Sequence, residues 1–253
     1  MSASKIAEPQ WRKVFAFLKA HPNVYAGKQE ACRRSVEGVH WILRTGAQWR
    51  ELPERHGNWN SVYKRFARWE EKGVWAALHQ EFAQDPDMER VMPDSTVIRA
   101  HMRAAGGSKK NGGQEEQALG RSRGGFSTKV HVLVDALGNP LRFILTAGQL
   151  HDVTQADALI DSFEFDALIA DKGYDANWLL NLLEDAGAQA VIPPRSNRTN
   201  PHAYDKHLYK ERHLVECFFN KIKWYRRIFT RFEKLAQRYA AFLHFVGALI
   251  WLR

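Results

Sequence analysis

The sequence predicts an α/β protein in which a mixed β-sheet flanked by helices follows an all-helical N-terminal region. Three observations support this prediction. Apolar residues recur at helical spacing from residue 8 to about residue 84. Three apolar, strand-like segments then follow one another over residues 91–100, 128–134 and 141–146. After them, short buried strands alternate with helices, which is the pattern of a sheet whose faces are covered by helices.

The N-terminal region contains several amphipathic helices. Apolar side chains share a face in two early segments: Trp11, Phe15 and Leu18, then Val36, Val39, His40 and Leu43. Asn58 supplies N-cap chemistry for a third helix over residues 62–69. The outer face of that helix carries Ser61, Lys64, Arg65 and Arg68. A helix of this kind is typical of the recognition helix of a helix-turn-helix, so we expect DNA contacts there. An ordinary solvated helix face is the alternative.

Turns and loops separate the later elements. Residues 104–125 hold seven glycines in 22 positions and predict a flexible basic loop with Lys109, Lys110, Arg121 and Arg123. Residues 135–140 predict a hairpin turn in which Asp135 is structural. The remaining predicted elements are a helix over about 153–163, a strand over 167–170, a helix over 177–186, a strand over 189–192 and a helix that holds Glu216. The order is therefore β-β-β-α-β-α-β-α.

Composition and charge indicate a globular protein with an anionic partner. The 253 residues are 45% hydrophobic and 26% charged, and the net charge is +9. Cations outnumber acids by 15 to 11 in residues 1–90 and by 13 to 4 in residues 195–253, whereas residues 91–194 hold 9 cations and 13 acids. An acidic centre between basic ends suits a polyanion held from two sides. A solvated basic surface would also account for the charge.

Cysteine usage and hydropathy favour a cytoplasmic protein. The two cysteines, Cys32 and Cys217, lie far apart in sequence among apolar neighbours, which argues against a disulfide framework or a cysteine zinc site. No signal peptide is visible at the N-terminus. The most apolar stretch, residues 239–252, contains His244 and is short for a membrane span, so we expect a core helix.

Three acids stand out as candidates for metal-dependent chemistry. Asp94 lies within the strand-like segment over residues 91–100, Asp171 ends the short strand over residues 167–170, and Glu216 lies on a later helix. If the two strands are parallel and adjacent, Asp94 and Asp171 point into one cleft, and hard oxygen ligands of this type suit Mg²⁺. Each acid also has a structural alternative: a turn or a cap for either aspartate, and a helix salt bridge with Arg212 for Glu216.

Other motifs carry less functional weight. His151-Asp152 is interpreted as capping the following helix through Asp152 or Thr154, with a position in the site as the alternative, and Asp175 is a possible second acid behind Asp171. The sequence lacks His-Glu-x-x-His, Gly-x-Ser-x-Gly and a phosphate-binding Gly-Lys-Ser/Thr loop. Zinc hydrolases, serine hydrolases and nucleotide-driven motors are therefore disfavoured.

The segment around Glu216 carries a polar stripe. At about 100° per residue, Tyr209, Arg212, Glu216 and Lys223 share one side of a predicted helix. An apolar stripe lies on another side: Val215, Phe218, Ile222, Tyr225 and Phe229. A carboxylate between cations suits both a metal ion and a phosphate backbone.

These residues together resemble a known family. The spacing Tyr209-x2-Arg212-x3-Glu216-x6-Lys223 is similar to the C-terminal signature of bacterial DDE transposases of the insertion-sequence-five family. Pro-Asp-Ser-Thr at Asp94 and Asp-Lys-Gly-Tyr-Asp at Asp171 match the family's other two acids. Further similar segments are Leu119-Gly-Arg-Ser-Arg-Gly-Gly-Phe-Ser-Thr-Lys, Ala147-Gly-Gln-Leu-His-Asp and Trp49-Arg-Glu-Leu-Pro.

The resemblance implies a ribonuclease-H-like catalytic domain over residues 89–253, preceded by a helical DNA-binding domain over residues 1–88. It implies Mg²⁺ bound by Asp94, Asp171 and Glu216. We expect two ions, for which Mn²⁺ can substitute. The implied reaction is nicking at transposon ends followed by attack of a 3′ hydroxyl on target DNA.

The resemblance also suggests partners and DNA contacts. The implied partner is double-stranded DNA, both the terminal inverted repeats and the target, bound by a homodimer in a synaptic complex at the nucleoid, with no role for a membrane. Arg212 and Lys223 are expected to contact phosphates, and Tyr209 to stack on a base or orient a phosphate. An inactive DNA-binding relative and a nuclease that cuts without joining are the alternative functions.

Overall fold

The computed structural model describes residues 5–105, 113, 116–122 and 124–253. Lys109, Lys110 and Arg123 of the predicted basic loop lie outside these described residues. The described residues fall into two compact units. The first contains the chain up to Gln84, residues 101–105 and Ile222–Arg253, and the second contains Asp85–Ala100 and the later described residues up to Lys221.

The elements follow the predicted order closely. The helices are α1 (Glu8–Ala20), α2 (Gln29–Thr45), α3 (Trp59–Glu71), α4 (Val74–Phe82), α5 (Ala156–Ile160), α6 (Asn177–Asp185), α7 (His213–Lys223), α8 (Arg226–Phe229) and α9 (Ala236–Trp251). The strands are β1 (Arg90–Ala100), β2 (Gly120–Ser122), β3 (Gly125–Val134), β4 (Pro140–Ala147), β5 (Ala167–Ile169), β6 (Gln189–Val191) and β7 (Thr230–Arg231). The helical N-terminal region is thus confirmed.

The first unit is built on an aromatic core to which both ends of the chain contribute. Phe242 of α9 stacks on Phe66 of α3, with 4.6 Å between ring centroids. Phe245 lies 4.9 Å from Trp75 of α4, and all four side chains are almost fully buried. The prediction of a core helix near the C-terminus is confirmed. Within the described residues, every helix is too short or too polar to cross a membrane.

The predicted domain boundary at residue 88 stays a prediction. The compact units of the structure are composed differently, since the first unit also includes residues from the C-terminal part of the chain. The sequence-based division assigns α9 to the catalytic domain, whereas α9 packs on α3 and α4. Arg238 of α9 forms ion pairs with Glu70 and Glu71 at the end of α3. The C-terminal helix is therefore part of the helical unit.

The second unit contains the predicted mixed sheet. β1 lies at its centre and pairs antiparallel with β3, from Met92 opposite Val134 to Arg99 opposite Ser127. β3 also pairs antiparallel with β4 and β2. On the other side of β1, β5 is parallel to β1 and β6 is parallel to β5. The order β4-β3-β1-β5-β6 joins three antiparallel strands to two parallel ones.

The turn between β3 and β4 places α7. Gly138 in this turn has a φ of 77°, which favours glycine. A Cβ at Gly138 would also lie 3.2 Å from the carbonyl oxygen of Leu214 in α7. Farther along, Phe143 of β4 lies 6.0 Å from Phe218 of α7. The hairpin therefore fixes the position of the helix that carries Glu216.

Three local predictions are wrong. The helix expected over residues 153–163 is a 3₁₀ turn at Asp152–Gln155 followed by the short α5. Part of the expected loop at 104–125 is the strand β2. The apolar stripe ends before Phe229, which is 57% exposed, because the chain leaves the α-helix at Lys223 and turns before α8.

Candidate active site

The strand register brings the two candidate aspartates to equivalent positions. Val91 of β1 pairs with Leu168 of β5 in a parallel ladder. Asp94 and Asp171 each lie three residues beyond this pair. They therefore lie equally far beyond the last pair of this ladder, Asp94 within the longer strand β1 and Asp171 after the end of β5. The expected parallel pairing of the two neighbouring strands is confirmed. The charge of Asp171 contributes to the raised pKa of Asp94, which shows that the two carboxylates interact.

Asp94 is a buried carboxylate with few partners. Its Oδ1 accepts a hydrogen bond from the backbone N–H of Ser95 at 2.7 Å, and its Oδ2 accepts one from Arg212 at 2.9 Å. Only 14% of the side chain is exposed. Burial raises the pKa of Asp94 to about 6, and the charges of Asp171 and Asp152 add to this rise, while Arg212 and the Ser95 hydrogen bond oppose it.

Arg212 bridges two of the three candidate acids. Besides Asp94, it donates a hydrogen bond to Glu216 Oε1 at 2.6 Å. Arg212 and Tyr209 belong to a 3₁₀ turn, Leu208–Arg212, and α7 begins after it. The polar stripe is therefore not one continuous α-helix. The ion pair of Arg212 with Glu216 that the sequence leaves open is present, and the guanidinium also draws Glu216 towards Asp94.

A tight turn holds Asp171. Its Oδ1 accepts the backbone N–H of Gly173 at 2.7 Å, at the start of a 3₁₀ turn over Lys172–Tyr174. A Cβ on Gly173 would lie 2.7 Å from the same oxygen, so a glycine is needed there. Tyr174 at the end of this turn is fully buried. The motif Asp-Lys-Gly-Tyr thus fixes the Asp171 carboxylate at the strand end.

The helix-capping interpretation of Asp152 is wrong. His151 occupies the N-cap of the 3₁₀ turn, and neither Asp152 nor Thr154 caps it through the side chain. Instead, Asp152 Oδ1 accepts a hydrogen bond from Ser95 Oγ at 2.5 Å and lies 3.0 Å from Lys129 Nζ. The contact with Ser95, the neighbour of Asp94, agrees with the alternative that the sequence left open for Asp152, a position at the site.

Two other acids have structural roles. Asp135 is fully buried in the hairpin turn and accepts hydrogen bonds from the backbone N–H groups of Leu137 and Asn139. Asp175 is also buried; it accepts the N–H of Arg195 at 2.7 Å and pairs with Arg198. Asp135 therefore stabilises the hairpin, and Asp175 fixes the chain that leads towards the 3₁₀ turn before α7.

The expected DNA-contacting residues lie in different places. Tyr209 is half-buried beside Tyr204, and burial, ahead of the neighbouring acids, raises its pKa. Lys223 ends α7. On α3, Ser61, Lys64 and Arg68 are exposed, whereas Arg65 donates to Ser35 at 3.2 Å and lies over the ring of Trp69. Arg121 is exposed over the Phe126 ring.

The donor set fits a divalent cation. Asp94, Asp171 and Glu216 supply hard carboxylate oxygens, which Mg²⁺ and similar ions prefer. Arg212 offsets only part of the rise that burial causes in the pKa of Asp94. Among the described residues, however, no three His, Cys, Asp or Glu side chains are close enough to bind one ion together. Arg212 lies between Asp94 and Glu216 in this arrangement.

Three antiparallel strands continued by two parallel ones, with helices after β4, β5 and β6, form a ribonuclease-H-like fold, and the family match assigns the chain to the DDE class of enzymes. The family profile described as "Transposase DDE domain" matches residues 85–251, and one described as "Putative transposase of IS4/5 family" matches residues 6–79. The chain belongs to the IS4/5-type DDE transposases, and it is a DNA transposase. Divalent metal dependence is general in this family.

Curated relatives agree with this assignment. The "Putative transposase for insertion sequence element IS6501" of Brucella ovis is 43% identical over 130 residues, which are 51% of this chain and the whole of the relative. The "Putative transposase for insertion sequence element IS402" of Burkholderia cepacia is 34% identical over 135 residues, 49% of this chain and 62% of the relative.

A solved structure supports the fold. The piggyBac transposase, in a synaptic complex with hairpin DNA, matches with a TM-score of 0.57 over 96% of this chain and 70% of its own. The two sequences are only 9% identical, so this likeness concerns the fold alone.

Proposed function

We propose that this transposase binds the ends of an insertion sequence, nicks them and joins the freed 3′ ends to target DNA. Asp94, Asp171 and Glu216 are the catalytic acids. The observation that carries this proposal is the matched position of Asp94 and Asp171, equally far beyond the last pair of the parallel β1–β5 ladder, with Glu216 linked to Asp94 through Arg212. Three separate elements thus supply the acids, and Arg212 links the acid on α7 to the one on β1.

These three acids would bind Mg²⁺, and we expect two ions, for which Mn²⁺ can substitute. When bound, the metal supplies activation of the attacking water or hydroxyl and charge stabilisation at the leaving oxygen. The chain itself supplies the geometry: the parallel pairing of β1 with β5 fixes Asp94 and Asp171, and the hairpin between β3 and β4 fixes α7 with Glu216.

Arg212 has a role in the metal-free protein that the sequence alone does not reveal. Its guanidinium offsets the negative charge of Asp94 and Glu216, which would otherwise repel each other and a DNA phosphate. We propose that Arg212 also contacts the DNA backbone, since a guanidinium can bind carboxylate and phosphate oxygens alike. Tyr209, in the same 3₁₀ turn, would stack on a base or orient a phosphate.

The proposed DNA contacts extend to the basic residues predicted from the sequence. Lys223 and the α3 residues Ser61, Lys64, Arg65 and Arg68 would bind phosphates, as would Lys109, Lys110, Arg121 and Arg123. Terminal inverted repeats and target DNA are the proposed partners. A homodimer would pair the two ends, as reactions at two DNA ends require, and the protein would act in the cytoplasm at the nucleoid.

Incubation with labelled end DNA and Mg²⁺ or Mn²⁺ tests the proposal. We expect nicks at the ends and joined products with wild type. Asp94→Asn should lower nicking by at least about 100-fold, because loss of an outer partner of a metal ligand alone typically costs about 10–100-fold. Asp157→Asn, on the exposed side of α5, is the matched control and should retain activity.

The alternatives give different outcomes in the same experiment. DNA binding without nicks in wild type would indicate an inactive DNA-binding relative. Nicks without joined products would indicate a nuclease. Undiminished nicking by Asp94→Asn would show that the acids identified here are not the catalytic ones.

A further inference from the structure

Asp152 makes an unusually dense set of contacts for a residue at the start of a short turn. Its Oδ1 accepts from Ser95 Oγ at 2.5 Å, lies 3.0 Å from Lys129 Nζ and is 3.7 Å from His131 Nδ1. Lys129 also donates to the carbonyl oxygen of Leu150 at 2.6 Å. A cation, a hydroxyl and an imidazole therefore surround one carboxylate oxygen.

The strand register explains how these side chains meet. Ser95 of β1 lies opposite His131 of β3, and Lys129 is two residues before His131. Residues two apart on a strand share a face, so Ser95, His131 and Lys129 form one polar group on the sheet. His131 is fully buried and is held through its Nε2, 2.7 Å from Thr146 Oγ1 of β4. Asp152 is bound to this group from outside the sheet.

Ser95 connects the polar group to the catalytic acids. Its backbone N–H donates to Asp94 Oδ1 at 2.7 Å while its hydroxyl donates to Asp152. Successive residues of a strand point to opposite faces. Asp94 and Ser95 therefore direct their side chains to different sides of β1, and Asp152 reaches Asp94 through the Ser95 backbone rather than as a fourth ligand.

A second residue places Asp152 close to the acids. Tyr174 is fully buried, and its hydroxyl has no hydrogen-bond partner among the described residues. After burial, the charges of Asp152, Asp94 and Asp171 are the causes that raise the pKa of Tyr174. One phenol thus interacts with all three carboxylates.

We propose that Asp152 is a positioning residue of the metal site, which holds Ser95 and through it sets the orientation of the Asp94 carboxylate. Lys129 offsets part of the charge of Asp152 and so reduces the repulsion between Asp152 and Asp94. This inference rests on the proposed metal-binding role of Asp94. Residues behind metal ligands orient them and typically change metal affinity about 10–100-fold when removed.

Titration of the DNA-free protein with Mn²⁺, followed by electron paramagnetic resonance, tests this proposal without catalysis. We expect Asp152→Ala and Ser95→Ala each to weaken Mn²⁺ binding about 10–100-fold. Both substitutions remove the same hydrogen bond, so the double variant should bind Mn²⁺ no more weakly than the single variant with the lower affinity. The spectrum of bound Mn²⁺ should change in the same way in both.

Asp152→Asn keeps an oxygen that can accept a hydrogen bond from Ser95, so it should retain a higher affinity for Mn²⁺ than Asp152→Ala.

The remaining variants separate the possible failures. Asp157→Asn removes an exposed acid five residues away and should bind Mn²⁺ like wild type. If Asp94→Asn binds Mn²⁺ as tightly as wild type, the proposed metal site itself fails. If Asp94→Asn loses binding but Asp152→Ala and Asp152→Asn do not, the inference about Asp152 is overturned. Multiplying losses in the double variant, or equal losses in the Asn and Ala variants, would also overturn it. Urea unfolding identifies any variant that does not fold. If Asp152→Ala does not fold, the Mn²⁺ affinity of Asp152→Asn is compared with that of wild type instead.

Discussion

At the scale of the residue, two carboxylates of the second unit affect stability in opposite directions. Asp135 is fully buried and Asp94 is mostly buried. Asp135 accepts two hydrogen bonds from backbone N–H groups of its own turn and one from the Asn139 side-chain amide. Asp94 has one backbone donor and Arg212, and it interacts with Asp171 and Asp152. The surroundings of Asp135 therefore match its charge, whereas those of Asp94 leave an ionised carboxylate poorly compensated until another cation binds.

We predict that Asp94→Asn stabilises the metal-free protein at neutral pH. The pKa of Asp94 is raised from 3.8 to about 6 in the folded protein, so the folded state holds this proton more tightly than the unfolded state. The contribution of Asp94 to the free energy of unfolding is therefore fully present below about pH 4 and is lost as the pH rises to about 6. At pH 7 the variant should gain about 1–3 kcal/mol, since one pKa unit corresponds to about 1.4 kcal/mol. The gain should disappear near pH 4.

Urea unfolding in the presence of EDTA measures this effect at pH 4, 5, 6 and 7. The exposed substitution Asp157→Asn is the control and should leave the free energy of unfolding nearly unchanged. A loss of stability in Asp94→Asn at pH 7 would mean that the ion pair with Arg212 outweighs the cost of burying the charge.

At the scale of the element, the hairpin of β3 and β4 depends on one side chain. We predict that Asp135→Ala lowers the free energy of unfolding by about 2–4 kcal/mol, because it leaves the partly buried N–H groups of Leu137 and Asn139 without their acceptor. Asp135→Asn keeps an acceptor oxygen and should lose less. Urea unfolding of the three proteins measures the difference. Equal losses for Asn and Ala would show that the charge, rather than the hydrogen bonds, holds the turn.

The same hairpin shows why some elements can be predicted from sequence and others cannot. Its strands are largely apolar and its turn contains Asp135 and Gly138, so local chemistry determines it. β2, by contrast, is three residues in a glycine-rich segment that becomes a strand by pairing with β3. Periodicity within a segment cannot reveal that partner. The break of the helix after Lys223 is likewise missing from the apolar pattern, which continues through it.

In the candidate site, too, only some of the contacts could be predicted from the sequence. Asp94 lies within one recognisable strand and Asp171 ends another, so their neighbouring positions could be predicted from the parallel pairing of these strands. The contact of Asp152 with Ser95 joins positions 57 residues apart, and the bridge from Arg212 to Asp94 joins positions 118 apart. Such contacts depend on the packed structure, so spacing along the chain does not predict them.

At the scale of the whole molecule, the two ends of the chain share one core. The profile of the DDE domain extends over residues 85–251 and thus includes α9, yet α9 packs on helices that precede this domain in sequence. Its side chains Phe242 and Phe245 contact Phe66 and Trp75. Helices before and after the catalytic sheet therefore belong to one compact unit.

We predict that a fragment of residues 1–88 does not fold stably without α9. Phe66 and Trp75 would lose their partners, and exposure of each large apolar side chain costs about 1.5–3 kcal/mol, against a total of about 5–15 kcal/mol for a typical domain. Circular dichroism should show a fragment with reduced helicity and no cooperative urea transition. A peptide of residues 232–253 added in trans should restore the transition, whereas the same peptide with Phe242→Ala should restore it less. A cooperative transition of the fragment alone would instead support the boundary at residue 88.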